Sequence, residues 1–122
     1  MASRVVHFEL AADDPERAAA FYKRVFGWEI NKWSGPQDYW LVTTGEGAPG
    51  IDGGIMRRMN PSQHTTNTIQ VDDLDATVSS VAAAGGSVEA PRMAIPGVGY
   101  MALLHDTEGN TFGVMQPDEA AR

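Results

Sequence analysis

The sequence of 122 residues contains no cysteine. Disulfide bonds, a cysteine nucleophile and cysteine-ligated zinc are therefore excluded for this chain. No apolar run approaches the roughly 20 residues that a membrane-spanning helix needs. Residues 1–7 also lack the apolar segment that is typical of a secretion signal. We therefore expect a cytoplasmic protein with no membrane partner.

Basic residues are scarce as well. Nine Lys and Arg stand against 16 Asp and Glu, which gives a formal net charge of −7. A nucleic-acid partner would require a basic face, so this class of function is not expected. Hydrophobic residues make up 43% and charged residues 20% of the chain, as in an ordinary globular protein. The length suits one domain over residues 1–122.

The chain repeats one order of predicted elements after a linker near residues 60–64. Each half starts with a strand, continues with a helix that begins at an acidic cap and ends at glycine, and closes with three strands. An offset of 59 residues superposes the caps Asp14 and Asp73, and also Gly54 and Gly113. The first half has predicted strands at 5–10, 28–30, 39–43 and 51–56, and the second at 66–71, 87–89, 100–105 and 111–116.

The sequence therefore predicts an α+β fold of two βαβββ units, about 1–60 and 61–122. We expect them to form a curved, partly closed mixed β-sheet with the helices outside. Strand alternation assigns one apolar set of side chains to the helices and a more polar set to the concave face, as a ligand cavity requires. The concave set consists of His7, Glu9, Thr66, Thr68, Gln70, Thr111 and Met115.

Several motifs carry a resemblance to a known family. The chain resembles the glyoxalase/bleomycin resistance protein/extradiol dioxygenase superfamily, also called vicinal oxygen chelate proteins, over nearly its whole length. Residues 95–99 are similar to a glyoxalase-related branch of unknown function. The matching segments are His7–Leu10, Asp13–Ala18, Phe21–Trp28, Val71–Ala76, Ala84–Gly86, Ile95–Gly99 and Asp106–Phe112.

The resemblance implies a metal site built from the first and last strand of each unit. The matching positions are His7, Thr66, Gly54 and Gly113. Only His7 is a strong ligand, because threonine is a poor neutral donor and glycine has no side chain. We therefore expect no metal cofactor, with a divalent ion at His7 as the alternative. The two glycines would instead leave room for an organic ligand.

We assign candidate roles on this basis. His7 is the candidate catalytic base, with Glu9 orienting its ring, and a histidine that is merely hydrogen-bonded is the alternative. Trp40 is expected to stack on a planar ligand. Polar ligand contacts are assigned to Thr66, Thr68 and Gln70, and adaptable apolar lining to Met101 and Met115.

Our main hypothesis is a small-molecule binding protein or metal-independent enzyme with a degenerate metal site. Any catalysis would be a lyase- or isomerase-like proton transfer next to a carbonyl group. The alternatives are a metal-dependent lyase or isomerase of glyoxalase type and an antibiotic-sequestering resistance protein, as the resemblance implies. The expected partners are a small organic ligand and a second copy of the chain in a homodimer.

Overall fold

The computed structural model describes residues 3–122. This part of the chain forms two α-helices and eight β-strands, divided between two compact units. The N-terminal unit comprises residues 7–66, and the C-terminal unit comprises residues 67–122 together with residues 3–6. The elements are β1 (Val5–Ala12), α1 (Pro15–Phe26), β2 (Glu29–Lys32), β3 (Tyr39–Thr43), β4 (Asp52–Arg57), β5 (Thr66–Gln70), α2 (Leu74–Ala83), β6 (Ser87–Ile95), β7 (Gly99–His105) and β8 (Thr111–Pro117).

In the N-terminal unit the strands follow the order β2–β3–β4–β1. Strands β1 and β4 run parallel, whereas β3 runs antiparallel to both β2 and β4. Helix α1 begins after Asp14, whose carboxylate accepts a hydrogen bond from the Arg17 backbone N–H at 3.1 Å. It ends at Gly27, which adopts the left-handed conformation with φ of +72°. The buried core of this unit contains Ala12, Ala19, Ile30, Trp40, Val42 and Ile55.

In the C-terminal unit the strand order is β5–β8–β7–β6. Strands β5 and β8 are parallel, and the Gln70 backbone N–H also donates to the Arg4 carbonyl oxygen. Helix α2 is capped by Asp73, which accepts from the Ala76 backbone N–H at 3.0 Å. Its buried core is formed by Val71, Leu74, Ala102, Leu104 and Val114.

The duplication predicted from the sequence is visible in the strand registers. Glu9 pairs with Gly54 in the N-terminal unit, and Thr68 pairs with Gly113 in the C-terminal unit, 59 residues later in both strands. The two helix caps also differ by 59 residues. The predicted α+β fold class with two βαβββ units is thus confirmed.

Strand β6 exceeds its predicted length by more than any other strand. We expected β6 to stop at residue 89 before a proline-bounded loop, but it continues to Ile95. The register shifts between Val88 and Ala90 and again between Ala90 and Met93, so β6 accommodates Pro91 through irregularities at the edge of its sheet. Proline lacks a backbone donor and is tolerated at such positions.

No helix within residues 3–122 is long and apolar enough to cross a membrane.

Candidate functional site

The two predicted catalytic residues lie on the same face of β1. Residues i and i+2 of a strand point to one side, which brings the side chains of His7 and Glu9 together. The parallel pairing with β4 places His7 opposite Asp52 and Glu9 opposite Gly54. The His7 side chain is 31% exposed and the Glu9 side chain 16%. Both groups are therefore partly withdrawn from water.

A third residue, Tyr39 at the start of β3, joins this pair. The His7 Nε2 atom lies 2.7 Å from the Tyr39 hydroxyl oxygen, which is a short hydrogen bond. The direct distance from His7 Nε2 to Glu9 Oε2 is 4.0 Å, too long for a hydrogen bond. The negative charge of Glu9 acts on both the imidazole and the phenol. We call these three side chains the His7 cluster.

The protonation states within the His7 cluster follow from burial and charge. Burial lowers the pKa of the His7 imidazole, against the opposing effect of the Glu9 and Asp52 carboxylates. Burial and, to a smaller extent, the charge of Glu9 raise the pKa of Tyr39 well above its usual value. Near neutral pH the cluster therefore contains a neutral imidazole and a protonated phenol. A neutral imidazole is the form that accepts a proton.

The absence of a side chain at Gly54 leaves space for the phenol of Tyr39. A Cβ atom on Gly54 would overlap with the hydroxyl oxygen and ring carbons of Tyr39. The corresponding position of the C-terminal unit is open by comparison, because a Cβ atom on Gly113 would lie 3.2 Å from Thr68 Oγ1 and 3.6 Å from Leu103 Cδ2. The Tyr39 hydroxyl thus fills the space that a side chain at residue 54 would occupy.

The donor set of the N-terminal unit does not fit the metal site that the sequence resemblance implies. Gly54 supplies no ligand, and the Tyr39 phenol occupies the volume above it. A protonated phenol is a poor ligand for a divalent ion, which leaves His7 and Glu9 as donors where three or four are needed. Within residues 3–122 no group of three or more His, Asp or Glu side chains is arranged to hold a metal ion.

The remaining predicted ligand contacts, apart from Trp40, lie on β5, β7 and β8, and all of them except Thr66 belong to the C-terminal unit. Gln70 and Met101 both pair with Met115, and Thr68 pairs with Gly113, so these side chains share one face. Thr68 is buried at 5% exposure, whereas Gln70 is exposed and Thr66, Met101 and Met115 are partly buried. The assignment of these side chains to a ligand stays a prediction.

The assignment of Trp40 to the ligand pocket is wrong. Trp40 is 5% exposed and belongs to the core of the N-terminal unit. Its indole N–H donates to Glu16 Oε1 of α1 at 2.6 Å, and it pairs with Ile55 on the helix-facing side of the sheet. His7 points to the other side, because strand alternation separates it from Phe8 and Leu10, which pack on this core.

The sequence interpretation missed Tyr39, although a signal for it exists. Tyr39 and Trp40 are consecutive in a strand and must point to opposite faces, so choosing Trp40 for the cavity excluded Tyr39. The apolar alternation of Trp40 and Val42 marks the core-facing side of β3. This alternation predicts that Tyr39 points to the opposite face, which is the face of His7.

The C-terminal unit has a second cluster with a histidine and a carboxylate. His105 Nε2 lies 3.0 Å from Glu89 Oε1, and His105 Nδ1 lies 3.3 Å from Thr111 Oγ1. Thr111 Oγ1 is also 3.4 Å from Glu89 Oε1. The side chains of His105 and Glu89 are 30% and 39% exposed. Both ring nitrogens of His105 thus have partners within the unit, so neither nitrogen is available to a ligand in this arrangement.

The lowered pKa of His7 predicts a pH dependence of stability. The unfolded chain binds a proton at His7 near pH ~6.5, whereas the folded chain does so only at lower pH. The contribution of His7 to the unfolding free energy is therefore fully present above pH ~6.5, and it is lost as the pH falls through the folded-state pKa. We expect the urea midpoint of the wild type to fall more between pH 7.5 and 5.5 than that of His7→Gln.

The exposed His64 provides the matched control for this measurement. The His64→Gln variant should keep the wild-type pH dependence. Equal pH dependence in the wild type and His7→Gln would contradict the burial of a neutral imidazole at position 7.

Comparisons with known proteins agree on one family. The model of the glyoxalase/bleomycin resistance protein/dioxygenase superfamily matches residues 4–114. The candidate glyoxylase CFP32 of Mycobacterium tuberculosis is 37% identical over 113 residues, covering 89% of this chain and 42% of the relative. This chain thus spans less than half the length of that relative. A glyoxylase-like domain-containing protein of Didymella fabae is 33% identical over 112 residues and covers 87% of this chain and 88% of its own length.

Solved structures share the fold at low sequence identity. A hypothetical protein of Bacillus halodurans C-125 superposes with a TM-score of 0.73 at 12% identity, covering 100% of this chain and 99% of that chain. A methylmalonyl-CoA epimerase of Mycobacterium tuberculosis has a TM-score of 0.68 at 15% identity, covering 93% of this chain and 87% of its own. At these identities the similarity shows the fold alone.

Proposed function

Because the chain belongs to the glyoxalase/bleomycin resistance protein/dioxygenase superfamily, we propose that it binds a small organic carbonyl compound and transfers a proton at the adjacent carbon without a metal ion. His7 is the base in this proposal. The observation that carries it is the hydrogen bond of a neutral His7 to a protonated Tyr39 beside Glu9.

The proposed step uses only groups of the His7 cluster and the ligand. The unprotonated ring nitrogen of His7 takes the proton from the carbon next to the carbonyl group. The electron pair of the broken C–H bond forms a carbon–carbon double bond, and the carbonyl π pair moves to oxygen, which gives an enolate. The imidazolium formed beside Glu9 then returns its proton to carbon, so that atoms and charge balance. Glu9 stabilises the imidazolium because opposite charges attract within the partly buried site.

Donor chemistry supports a metal-independent reaction over the glyoxalase-type alternative. In the N-terminal unit the two potential metal ligands are His7 and Glu9. The group beside them is the protonated phenol of Tyr39, which is a poor metal ligand, and the described residues contain no group of three potential ligands. The same cluster favours catalysis over simple sequestration of a cationic antibiotic, because a buried neutral imidazole adds nothing to the attraction of a cation. The net charge of −7 alone would serve sequestration equally well.

Proton exchange tests this proposal directly. The chain is dialysed against a chelator and incubated in D₂O with carbonyl compounds, including methylmalonyl-CoA, the ligand in one structural neighbour. Incorporation of deuterium next to the carbonyl group is followed by NMR. We expect His7→Gln to lower the exchange rate by about 10²–10⁴-fold, the usual contribution of a general base, while the melting temperature changes little. His64→Gln, on an exposed linker residue, is the matched control.

Each competing hypothesis predicts a different result. Exchange that appears only after a divalent metal is added would support the metal-dependent lyase or isomerase. Tight, salt-sensitive binding of a cationic compound without exchange would support sequestration. Exchange that is unaffected by His7→Gln would reject His7 as the base.

We also propose a homodimeric, cytoplasmic protein. Phe21, Val25 and Phe26 of α1 are 54%, 54% and 60% exposed, and such an apolar surface is compatible with self-association. Sedimentation velocity of the purified chain distinguishes a dimer from a monomer of 13.1 kDa.

A further inference from the structure

The face of β1, β2, β3 and β4 that carries the His7 cluster also carries an exposed apolar side chain. Leu41 of β3 pairs with Gly54 of β4, which in turn pairs with Glu9 of β1. Residues that lie opposite each other in paired strands share a face, so Leu41 and Glu9 point to the same side. Leu41 is 45% exposed. We call this side of the four strands the His7 face.

Trp33, directly after β2, adds an aromatic surface to the His7 face. Its backbone N–H donates to the Tyr39 carbonyl oxygen at 2.7 Å, which extends the pairing of β2 with β3 by one residue. The rings of Trp33 and Tyr39 meet edge to face at 81°, with centroids 6.4 Å apart. A Cβ atom on Gly35 would overlap with the Trp33 ring, so the loop backbone packs against the indole. The indole is therefore held in place while it remains partly exposed.

The charged groups that the N-terminal unit presents on the His7 face are carboxylates. Glu9 lies on the same strand as His7, and the exposed Asp52 lies opposite His7 on β4. The six basic residues of this unit lie on α1, at helix-facing positions of β2 and β4, or beside Asp13: Arg17, Lys23, Arg24, Lys32, Arg57 and Arg58. Within residues 7–66, an anionic group on this face would therefore meet carboxylates and no cation.

We infer that the His7 face binds an uncharged, apolar substituent of the ligand, with Trp33 and Leu41 as the binding residues. These two side chains offer apolar contact area beside the His7 cluster, and the neighbouring carboxylates repel a carboxylate or phosphate group. The substrate class is thus an uncharged carbonyl compound with an aromatic or other apolar substituent. The carbonyl part of this inference rests on the proposed function, whereas the apolar site is tested by binding alone.

Three related ketones test the preferred substituent. Benzylacetone has an uncharged phenyl ring, its para-carboxylate adds a negative charge to that ring, and butanone lacks the ring. Titrations followed by NMR give the Kd of each compound for the chelator-treated chain. We expect benzylacetone to bind at least ~10-fold more tightly than butanone, because the phenyl ring is removed from water. The para-carboxylate should bind at least ~5-fold more weakly than benzylacetone at low salt, and this difference should shrink at high salt.

Variants of the chain test where the phenyl ring binds. Leu41→Ala and Trp33→Ala should each weaken the binding of benzylacetone by at least ~5-fold, because each removes apolar contact area, and should leave the Kd of butanone nearly unchanged. Leu41→Met should keep most of the affinity, since the volume of the side chain is conserved. Met59→Ala is the matched control. Met59 is an apolar residue of the same unit that follows β4 and is 76% exposed, so this variant should bind as the wild type does.

Two results would overturn the apolar site. One is a para-carboxylate that binds as tightly as benzylacetone at low salt. The other is wild-type affinity for benzylacetone in both Leu41→Ala and Trp33→Ala. If sedimentation velocity also showed a wild-type dimer that dissociates in these variants, a second copy of the chain would be the occupant of this face instead.

Deuterium exchange separates this inference from the proposed function. If benzylacetone binds as expected but exchanges no proton, the proposed function fails for this class of ketone while the apolar site stands. If butanone exchanges as fast as benzylacetone, in the wild type and in Leu41→Ala alike, the proposed function stands and the inferred substrate class is wrong.

Discussion

The Gly54→Ala variant should lose about 3 kcal/mol of unfolding free energy, the sum of an overpacking cost and a broken hydrogen bond. The added Cβ atom would overlap with the hydroxyl and ring of Tyr39, so either the phenol moves away or the sheet distorts. The first route breaks the hydrogen bond between Tyr39 and His7. Urea unfolding monitored by circular dichroism measures the change, which corresponds to a fall in melting temperature of about 10 °C.

The duplication provides a natural control for this variant. Gly113 occupies the equivalent register position in the C-terminal unit, where a Cβ atom would meet Thr68 Oγ1 at 3.2 Å and would require only a small adjustment. Gly113→Ala should therefore cost less than about 1 kcal/mol. In a Tyr39→Ala background, Gly54→Ala should also become nearly neutral, because the obstructing ring is gone.

Together, these three measurements test whether the loss of unfolding free energy in Gly54→Ala arises from overlap with the Tyr39 side chain. An equal loss for Gly54→Ala with and without the tyrosine ring would show that the strain lies elsewhere, for example in the β-strand backbone. Gly53→Ala illustrates that case, because its Cβ atom would overlap with the Phe8 carbonyl oxygen, which no change of side-chain rotamer can relieve.

The Trp40→Ala variant should lose about 3–5 kcal/mol, the usual cost of removing a buried tryptophan side chain. Trp40 is 5% exposed and packs between the sheet and α1, where its indole donates to Glu16 at 2.6 Å. Trp40→Phe should cost less, because it keeps most of the apolar contact and loses the hydrogen bond to Glu16. Chemical denaturation of both variants measures these differences.

Leu41→Ala is the matched control for Trp40→Ala. Leu41 is the next residue of β3, points to the opposite face and is 45% exposed, so its truncation should cost less than about 1 kcal/mol. A Trp40→Ala variant that keeps its stability but loses ligand affinity would restore the original assignment of Trp40 to the pocket.

Local patterns in the sequence predicted most of the fold. Asp14 and Asp73 were identified as helix caps from their position before apolar stripes, and both make the expected bond to a backbone N–H three residues later. The 59-residue offset between the halves reappears in the parallel strand registers. These features depend on residues two to four positions apart, or on a comparison of two segments, so they can be read without coordinates.

Individual side chains of the site were only partly accessible in this way. His7 and Glu9 were paired because they are two residues apart on one strand. The end of β6 was missed because proline is a poor strand residue in general, and only irregular pairing with β7 shows how Pro91 is accommodated.

Strand alternation, capping and duplication thus follow from the order of the amino acids, since they reflect short-range geometry of the backbone. The identity of the residue that hydrogen-bonds to His7 does not follow from the order of the amino acids. Tyr39 lies 32 residues away in sequence and reaches His7 because β1 pairs with β4, β4 pairs with β3, and residue 54 has no side chain to obstruct the phenol. Side-chain packing across three strands decided that the Tyr39 phenol, at 2.7 Å, and not the Glu9 carboxylate, at 4.0 Å, forms the hydrogen bond with the imidazole.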